Sequence, residues 1–111
     1  MAWQIKYHPL AEEELAKLDG SVRKIVLKGI IKVSANPKPF YEGGYGKPLG
    51  NKNGNDLTGF LKIKYRDIGI RVVYKLLEDE TTHEMFILVI SARADNEVYD
   101  LAAKRKKYDF N

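Results

Sequence analysis

The residues best suited to chemistry in this chain are Lys62, Lys64 and Arg71, three cations within residues 60–74. Apolar and polar residues alternate there with the period of a half-buried strand, so Lys62 and Lys64 share one face. A turn at 67–69 would fold a second strand alongside and bring Arg71 to that face. Three cations on one surface of a hairpin predict a binding site for a polyanion.

Each of these cations also has a purely structural interpretation. Lysines on a strand at the edge of a sheet often serve only to prevent pairing with another chain. Arg71 could form an ion pair with Glu78 or Asp79 across the sheet. Spacing alone leaves these interpretations open.

Length and charge limit the class of protein. A chain of 111 residues, 44% of them hydrophobic, predicts a single folded domain spanning residues 1–111. The net charge is only +4, but positive residues collect at 62–75 and 104–107, and acidic residues at 12–14 and 78–80. This segregation favours a nucleic-acid-binding protein, with solvated charged faces as the alternative.

Several kinds of site are excluded or disfavoured. The absence of cysteine excludes disulfides and thiolate sites. The two histidines, His8 and His83, form no metal-ligand motif, and no glycine fingerprint for nucleotides occurs. We therefore expect no metal and no cofactor. Because neither a signal peptide nor a long apolar run is present, we expect a cytoplasmic protein that is not bound to a membrane.

Apolar periodicity predicts an α+β fold in which an N-terminal strand and a helical hairpin pack on a mainly antiparallel four-stranded sheet, followed by a C-terminal helix. The first helix, 9–18, would bury Leu10, Leu15 and Leu18. Residues 36–59 hold most of the glycines and prolines and are expected to form a long loop. The other predicted elements are strands at 3–7, 60–65, 70–76 and 85–90 and helices at 22–33 and 96–107, the last capped by Asp95.

Four short segments in a fixed order carry a family resemblance. They are Lys-Ile-Lys at 62–64, Gly-Ile-Arg-Val-Val-Tyr at 69–74, Val-Ile-Ser at 89–91, and Arg93 followed by Asn-Glu-Val-Tyr at 96–99. Together they resemble the RelE branch of the RelE/ParE toxin superfamily, and the resemblance spans nearly the whole chain. It implies a RelE-like fold and the toxin of a type II toxin–antitoxin system.

The same resemblance implies a ribosome-dependent mRNA endonuclease. In that branch the RNA 2′-hydroxyl attacks the adjacent phosphate and leaves a 2′,3′-cyclic phosphate and a 5′-hydroxyl. The implied partners are a cognate acidic antitoxin, the ribosome and mRNA. The implied catalytic residues are Lys62, Lys64, Arg71, Arg93 and Tyr99.

These residue types suit a reaction that needs a base, positive charge on the phosphate and an acid for the leaving oxygen. Lys64 is the candidate base, because neighbouring cations disfavour the protonated form of a lysine. Lys62 and Arg71 would clamp the phosphate. Arg93 would protonate or stabilise the leaving oxygen. Tyr99 would stack on a base or orient the hydroxyl, although its helical periodicity alone favours a core position.

One departure from the RelE pattern concerns the junction after the central strand. Many RelE-type relatives have a glycine and further basic residues before the arginine, whereas here Ser91-Ala92-Arg93 is abrupt. Arg93 could therefore be placed differently. Two other functions stay open, namely a ParE-like inhibitor of DNA gyrase with the same fold and a non-catalytic binding domain. Retention of all five implied residues favours the RelE branch.

Overall fold

Five strands form one sheet in the order β1-β5-β4-β3-β2 in the computed structural model, which describes residues 2–52 and 54–107. β1 runs parallel to β5, and the other neighbours are antiparallel. The α+β class is confirmed. The elements are β1 (Gln4–Tyr7), α1 (Pro9–Ala16), α2 (Gly20–Ser34), a 3-10 turn (Phe40–Glu42), β2 (Lys47–Lys52), β3 (Asn55–Tyr65), β4 (Ile70–Glu78), β5 (His83–Ser91) and α3 (Asp95–Arg105).

The sheet has one more strand than the four predicted, because residues 36–59 are not one long loop. β2 and the first half of β3 pair as an antiparallel hairpin within that stretch. Leu49 and Leu57 are buried under α3, and this burial favours pairing in spite of the local glycines. Gly50 and Gly59 have positive φ angles of 67° and 87°, and the pairing shifts register between Pro48 and Gly50.

The predicted apolar stripe of α1 was wrong at one position. Leu10 is 45% exposed, whereas Ala11 is fully buried and Leu15 and Leu18 are half-buried. α1 packs directly on β5, and the small side chain of Ala11 allows that close approach. The helix therefore contributes less apolar surface to the core than three buried leucines would give.

Two apolar cores lie on opposite faces of the sheet. The first core joins α1 and α2 to one face through Leu61, Val72 and Tyr74. The second joins α3 to the other face through Val73, Leu88 and Val89. The predicted alternation in β3 and β4 is thus confirmed, and it places Lys62, Lys64 and Arg71 on the α3 face.

A glycine in α2 fixes how that helix lies against β3. The Tyr65 hydroxyl donates a hydrogen bond to the Val26 carbonyl oxygen at 2.7 Å. A Cβ added at Gly29 would overlap the Tyr65 ring and hydroxyl. Burial also raises the pKa of Tyr65, so the hydroxyl stays protonated and can donate. Because Tyr65 follows Lys64 directly, this contact fixes the end of the strand that carries the lysines.

We expect Gly29→Ala to destabilise the protein by about 1–3 kcal/mol, because overpacking outweighs the gain of about 1 kcal/mol in helix propensity. Gly20→Ala in the same helix is the matched control, since nothing lies within 4 Å of a Cβ there. That control should be neutral or slightly stabilising. Urea unfolding of both variants measures the difference, and equal effects at the two positions would contradict the packing argument.

The C-terminal half of α3 is anchored by a partly buried ion pair. Arg105, 9% exposed, donates to both Glu14 carboxylate oxygens at 2.8 and 3.0 Å and to the Leu88 carbonyl oxygen at 2.8 Å. Glu14 in turn accepts from the Ile90 amide at 3.1 Å. Arg105 therefore does not belong to an exposed basic run at 104–107, as the charge pattern suggested.

Arg105→Met should cost about 2–4 kcal/mol of stability, because the Glu14 carboxylate loses its cationic partner and the Leu88 carbonyl oxygen loses the guanidinium donor. Lys104→Met is the control, since Lys104 is exposed in the same last turn of α3. It should cost no more than about 0.5 kcal/mol from the helix dipole. Chemical denaturation checks both values, and a similarly mild effect of Arg105→Met would show that the pair does not anchor α3.

Candidate active site

A row of like charges crosses the sheet on the α3 face. Lys64 lies directly opposite Arg71 in the β3–β4 pairing, and Lys62 lies opposite Lys47 in the β2–β3 pairing. We call these four residues the cationic cluster. Like charges at directly opposed positions destabilise a sheet, so the cluster is a local cost to the fold that an anion would relieve.

A carboxylate at the start of α3 partly relieves this repulsion. Asp95 forms an ion pair with the Arg71 guanidinium, and its other carboxylate oxygen lies 3.7 Å from Lys64 Nζ. Arg71 also donates to the carbonyl oxygen of Arg93 at 2.9 Å. Two members of the cationic cluster are thus tied to the segment that leads into α3.

The electrostatics of Asp95 are dominated by these neighbours. Partial burial of its carboxyl opposes ionisation, but the hydrogen bond and charge of Arg71, with smaller contributions from Lys64 and Lys62, outweigh burial and lower the pKa of Asp95. Asp95 is therefore a carboxylate at neutral pH.

Tyr99 belongs both to the core and to the site. It is only 5% exposed and packs in the core under α3, as its helical periodicity indicated. Its hydroxyl nevertheless accepts a hydrogen bond from Lys62 Nζ at 3.2 Å, and Lys62 Nζ lies 5.9 Å from the ring centroid. A rigid, buried phenol therefore orients Lys62.

Arg93 joins the site through its backbone and not through its guanidinium. Its side chain is 60% exposed, and its Nε lies 3.9 Å from Glu97 Oε2 one turn along the helix. The abrupt junction forms a small turn in which the Arg93 amide donates to Ser91 Oγ at 3.1 Å. The structure thus gathers Lys62 with Tyr99 and Lys64 with Arg71, and it leaves the Arg93 side chain outside these contacts.

Sequence reasoning missed two residues of the site. Lys47 lies in the segment predicted to be a loop, so its position opposite Lys62 follows only from the pairing of β2 with β3. Asp95 was predicted to cap α3, but Ala94 is the N-cap and Asp95 begins the helix. An acidic residue two positions after Arg93 was the available signal, although nothing local indicates that it reaches Arg71.

The described residues offer no alternative site built on metal ligands. Within residues 2–52 and 54–107, no group of three or more His, Cys, Asp or Glu side chains could hold a metal ion. His8 caps α1, with its Nδ1 accepting from the Leu10 amide at 3.0 Å. His83 Nε2 lies 3.2 Å from Glu78 Oε2. In the same part of the chain, no helix is long and apolar enough to cross a membrane.

The known proteins that this chain resembles in sequence include RelE and RelE-like toxins. The chain is 28% identical over 108 residues to the mRNA interferase toxin RelE of Escherichia coli, covering 95% of this chain and 98% of that protein. It is 26% identical over 107 residues to a putative RelE-like toxin of Escherichia coli, covering 96% and 100%. No protein-family profile matches the chain.

Solved structures show the same relationship in three dimensions. A free-state mutant of Escherichia coli RelE superposes with a TM-score of 0.72 at 26% identity, covering 95% of this chain and 98% of that one. This chain has the RelE toxin fold. The RelBE toxin–antitoxin complex of Mycobacterium tuberculosis matches with a TM-score of 0.63 at 22% identity, covering 86% and 95%, and supports the fold alone. The resemblance drawn from the sequence is confirmed.

We expect the stabilising effect of Asp95 to depend on pH in a defined direction. Because folding lowers its pKa from 3.8, its contribution is present above that value and is lost as pH falls through the folded-state pKa. Asp95→Asn should therefore lower the free energy of unfolding by about 0.5–1.5 kcal/mol at neutral pH, a range reduced for solvent screening. The difference from wild type should disappear in strong acid.

Denaturant unfolding of wild type and Asp95→Asn at a series of pH values measures that difference directly. Subtracting the two free energies of unfolding at each pH cancels the contributions of the other carboxylates, which both proteins share. A difference that stays constant from neutral pH into strong acid would show that the Asp95 charge does not interact with the cationic cluster.

Proposed function

We propose that this protein is the toxin of a type II toxin–antitoxin system and an mRNA interferase, an endoribonuclease acting on mRNA. The observation that carries the proposal is the cationic cluster on one face of a fold shared with RelE mRNA interferases. Relatives named as mRNA interferases match the chain over 95% of its length. Cationic side chains on one face suit the phosphate backbone of RNA.

In the proposed reaction, the RNA 2′-hydroxyl attacks the adjacent phosphorus and the 5′-oxygen of the next nucleotide leaves. Arg71 and Lys62 bind the non-bridging oxygens, on which negative charge builds in the transition state. Lys64 lies opposite Arg71 and takes the proton of the 2′-hydroxyl as general base. The products are a 2′,3′-cyclic phosphate and a 5′-hydroxyl.

The two remaining residues have different proposed roles. Arg93 protonates the leaving 5′-oxygen, or stabilises its charge until water protonates it, and the exposed side chain is free to turn toward bound RNA once it leaves Glu97. Tyr99 positions Lys62 through the hydroxyl contact, because a ring only 5% exposed offers little surface for stacking on a base. The buried phenol suits orientation better than direct contact with substrate.

The proposed chemistry uses side chains of the protein and no metal ion, since lysine and arginine supply all the positive charge that the transition state needs. We further propose that cleavage depends on the ribosome and takes place in the cytoplasm. In-line attack requires the 2′-hydroxyl, phosphorus and leaving oxygen to be aligned. An open sheet face does not itself impose that alignment on a flexible strand, whereas mRNA held on the ribosome has a fixed path.

The proposed cognate partner is an acidic antitoxin. Solved RelBE complexes of Escherichia coli and Mycobacterium tuberculosis join toxins of this fold to their antitoxins. In this chain, the cationic cluster gives an acidic segment a complementary surface. An antitoxin that covers the cluster would block access of RNA to Lys64 and Arg71.

Lys64→Ala should reduce mRNA cleavage by a factor of about 10²–10⁴, the usual contribution of a general base. Lys17→Ala is the matched control. Lys17 is an exposed lysine at the end of α1, and its replacement by alanine removes the same charge. That control should cleave like wild type. Mapping of 5′ ends in translated mRNA after induction, with growth arrest as a second readout, compares the three proteins.

Two results would contradict the proposal. Cleavage by Lys64→Ala at the wild-type rate would remove Lys64 from the chemistry. Intact mRNA at every codon, combined with stalled supercoiling by DNA gyrase, would identify a ParE-like activity instead.

A further inference from the structure

We propose that Asp95 is an internal anion that occupies the substrate-binding position between Lys64 and Arg71, so that the free toxin is self-inhibited until RNA displaces it. The inference rests on the proposed function for the identity of the ligand as RNA. It adds a residue to that function, since Asp95 acts against substrate binding and is not one of the catalytic groups.

The geometry of Asp95 is that of a ligand in a binding site. One carboxylate oxygen engages the Arg71 guanidinium, and the other lies 3.7 Å from Lys64 Nζ. RNA bound for cleavage would need the same two side chains, Arg71 for its phosphate and Lys64 for the adjacent 2′-hydroxyl. A carboxylate and a phosphate are the two anions that arginine's planar fork binds best. Asp95 and the substrate therefore compete for one position.

The charge balance leaves this inhibition reversible. The one carboxylate of Asp95 contacts two of the four cations of the cationic cluster, so the cluster keeps a net positive charge and still attracts RNA. Asp95 is 39% exposed, and solvent screening keeps such a pair weak. A phosphate that enters with additional contacts along the strand can therefore replace it.

The position of Asp95 at the start of α3 favours displacement without unfolding the helix. Ala94 provides no side-chain cap, so no capping side chain binds the free amides of the first turn. The far end of α3 is held separately by Arg105 and Glu14. A rotation of the Asp95 side chain, or a small shift of the first turn, would free Lys64 and Arg71 while α3 stays docked.

Asp95 could alternatively act as a brace that holds Lys64 and Arg71 in position for catalysis. The two roles predict opposite effects of removing the charge. Loss of a brace weakens RNA binding, and loss of a competing anion strengthens it. Removing the Asp95 charge lowers the stability of the protein in either role, so a stability measurement alone does not separate the two roles.

The test compares Asp95→Asn with Asp100→Asn, which makes the same change at an exposed position of the same helix. Asp100 Oδ1 accepts a hydrogen bond from Asn55 Nδ2 at 2.8 Å. The probe is a short single-stranded RNA with methylated 2′-hydroxyls, which cannot be cleaved, and the readout is fluorescence anisotropy over a salt series. Asp95→Asn should bind about five- to tenfold more tightly than wild type at low salt.

The salt series gives a second, independent readout. Freeing Lys64 and Arg71 for phosphate contact should make RNA affinity fall more steeply with salt concentration, by the amount expected for about one additional phosphate contact. Asp100→Asn should show at most the small gain expected from net charge alone. A lower melting temperature of Asp95→Asn together with tighter RNA binding is the pattern that supports an internal anion.

Weaker RNA binding by Asp95→Asn, or a gain equal to that of Asp100→Asn, would overturn the inference. Cleavage of ribosome-bound mRNA is measured separately in wild type. If wild type leaves mRNA intact while Asp95→Asn still binds the methylated RNA more tightly, the proposed function fails and the internal anion stands.

Discussion

The ion pair between Glu14 and Arg105 joins the two helical layers of this protein around one edge of the sheet. β1 pairs with β5 only as far as Ile87, and beyond that point Glu14 and Arg105 satisfy the backbone groups of Ile90 and Leu88. The pair thus closes an open strand edge and holds α3 against its face. Together with the buried residues of α3, this anchor lets Tyr99 and Asp95 reach the cationic cluster.

The α3 face of the sheet combines a cost in stability with a concentration of positive charge. Four cations on neighbouring strands repel one another, and a fold optimised for stability alone would replace one of each opposed pair. This chain instead lets a carboxylate from another element lower the repulsion in the free protein. Asp95 offsets only part of the repulsion among the four cations. The protein can therefore fold while this face keeps a positive charge that attracts a polyanion.

The parts of the structure that follow from local periodicity could be predicted, and the parts that depend on distant residues could not. Alternation in β3 and β4 correctly placed Lys62, Lys64 and Arg71 on one face. Glycines and prolines near β2 resembled a loop, because the burial of Leu49 and Leu57 under α3 has no local signal. The contact between Arg71 and Asp95 joins separate elements, and no local pattern indicates it.

The outer strand β2 is poorly suited to pairing with a second copy of the chain. Pro48 has no amide hydrogen to offer, the register shift after it interrupts the hydrogen-bonding row, and Lys47 adds charge at the same place. A second copy of the chain would find few matching partners along this border. The border therefore discourages self-association by strand addition next to the cationic cluster.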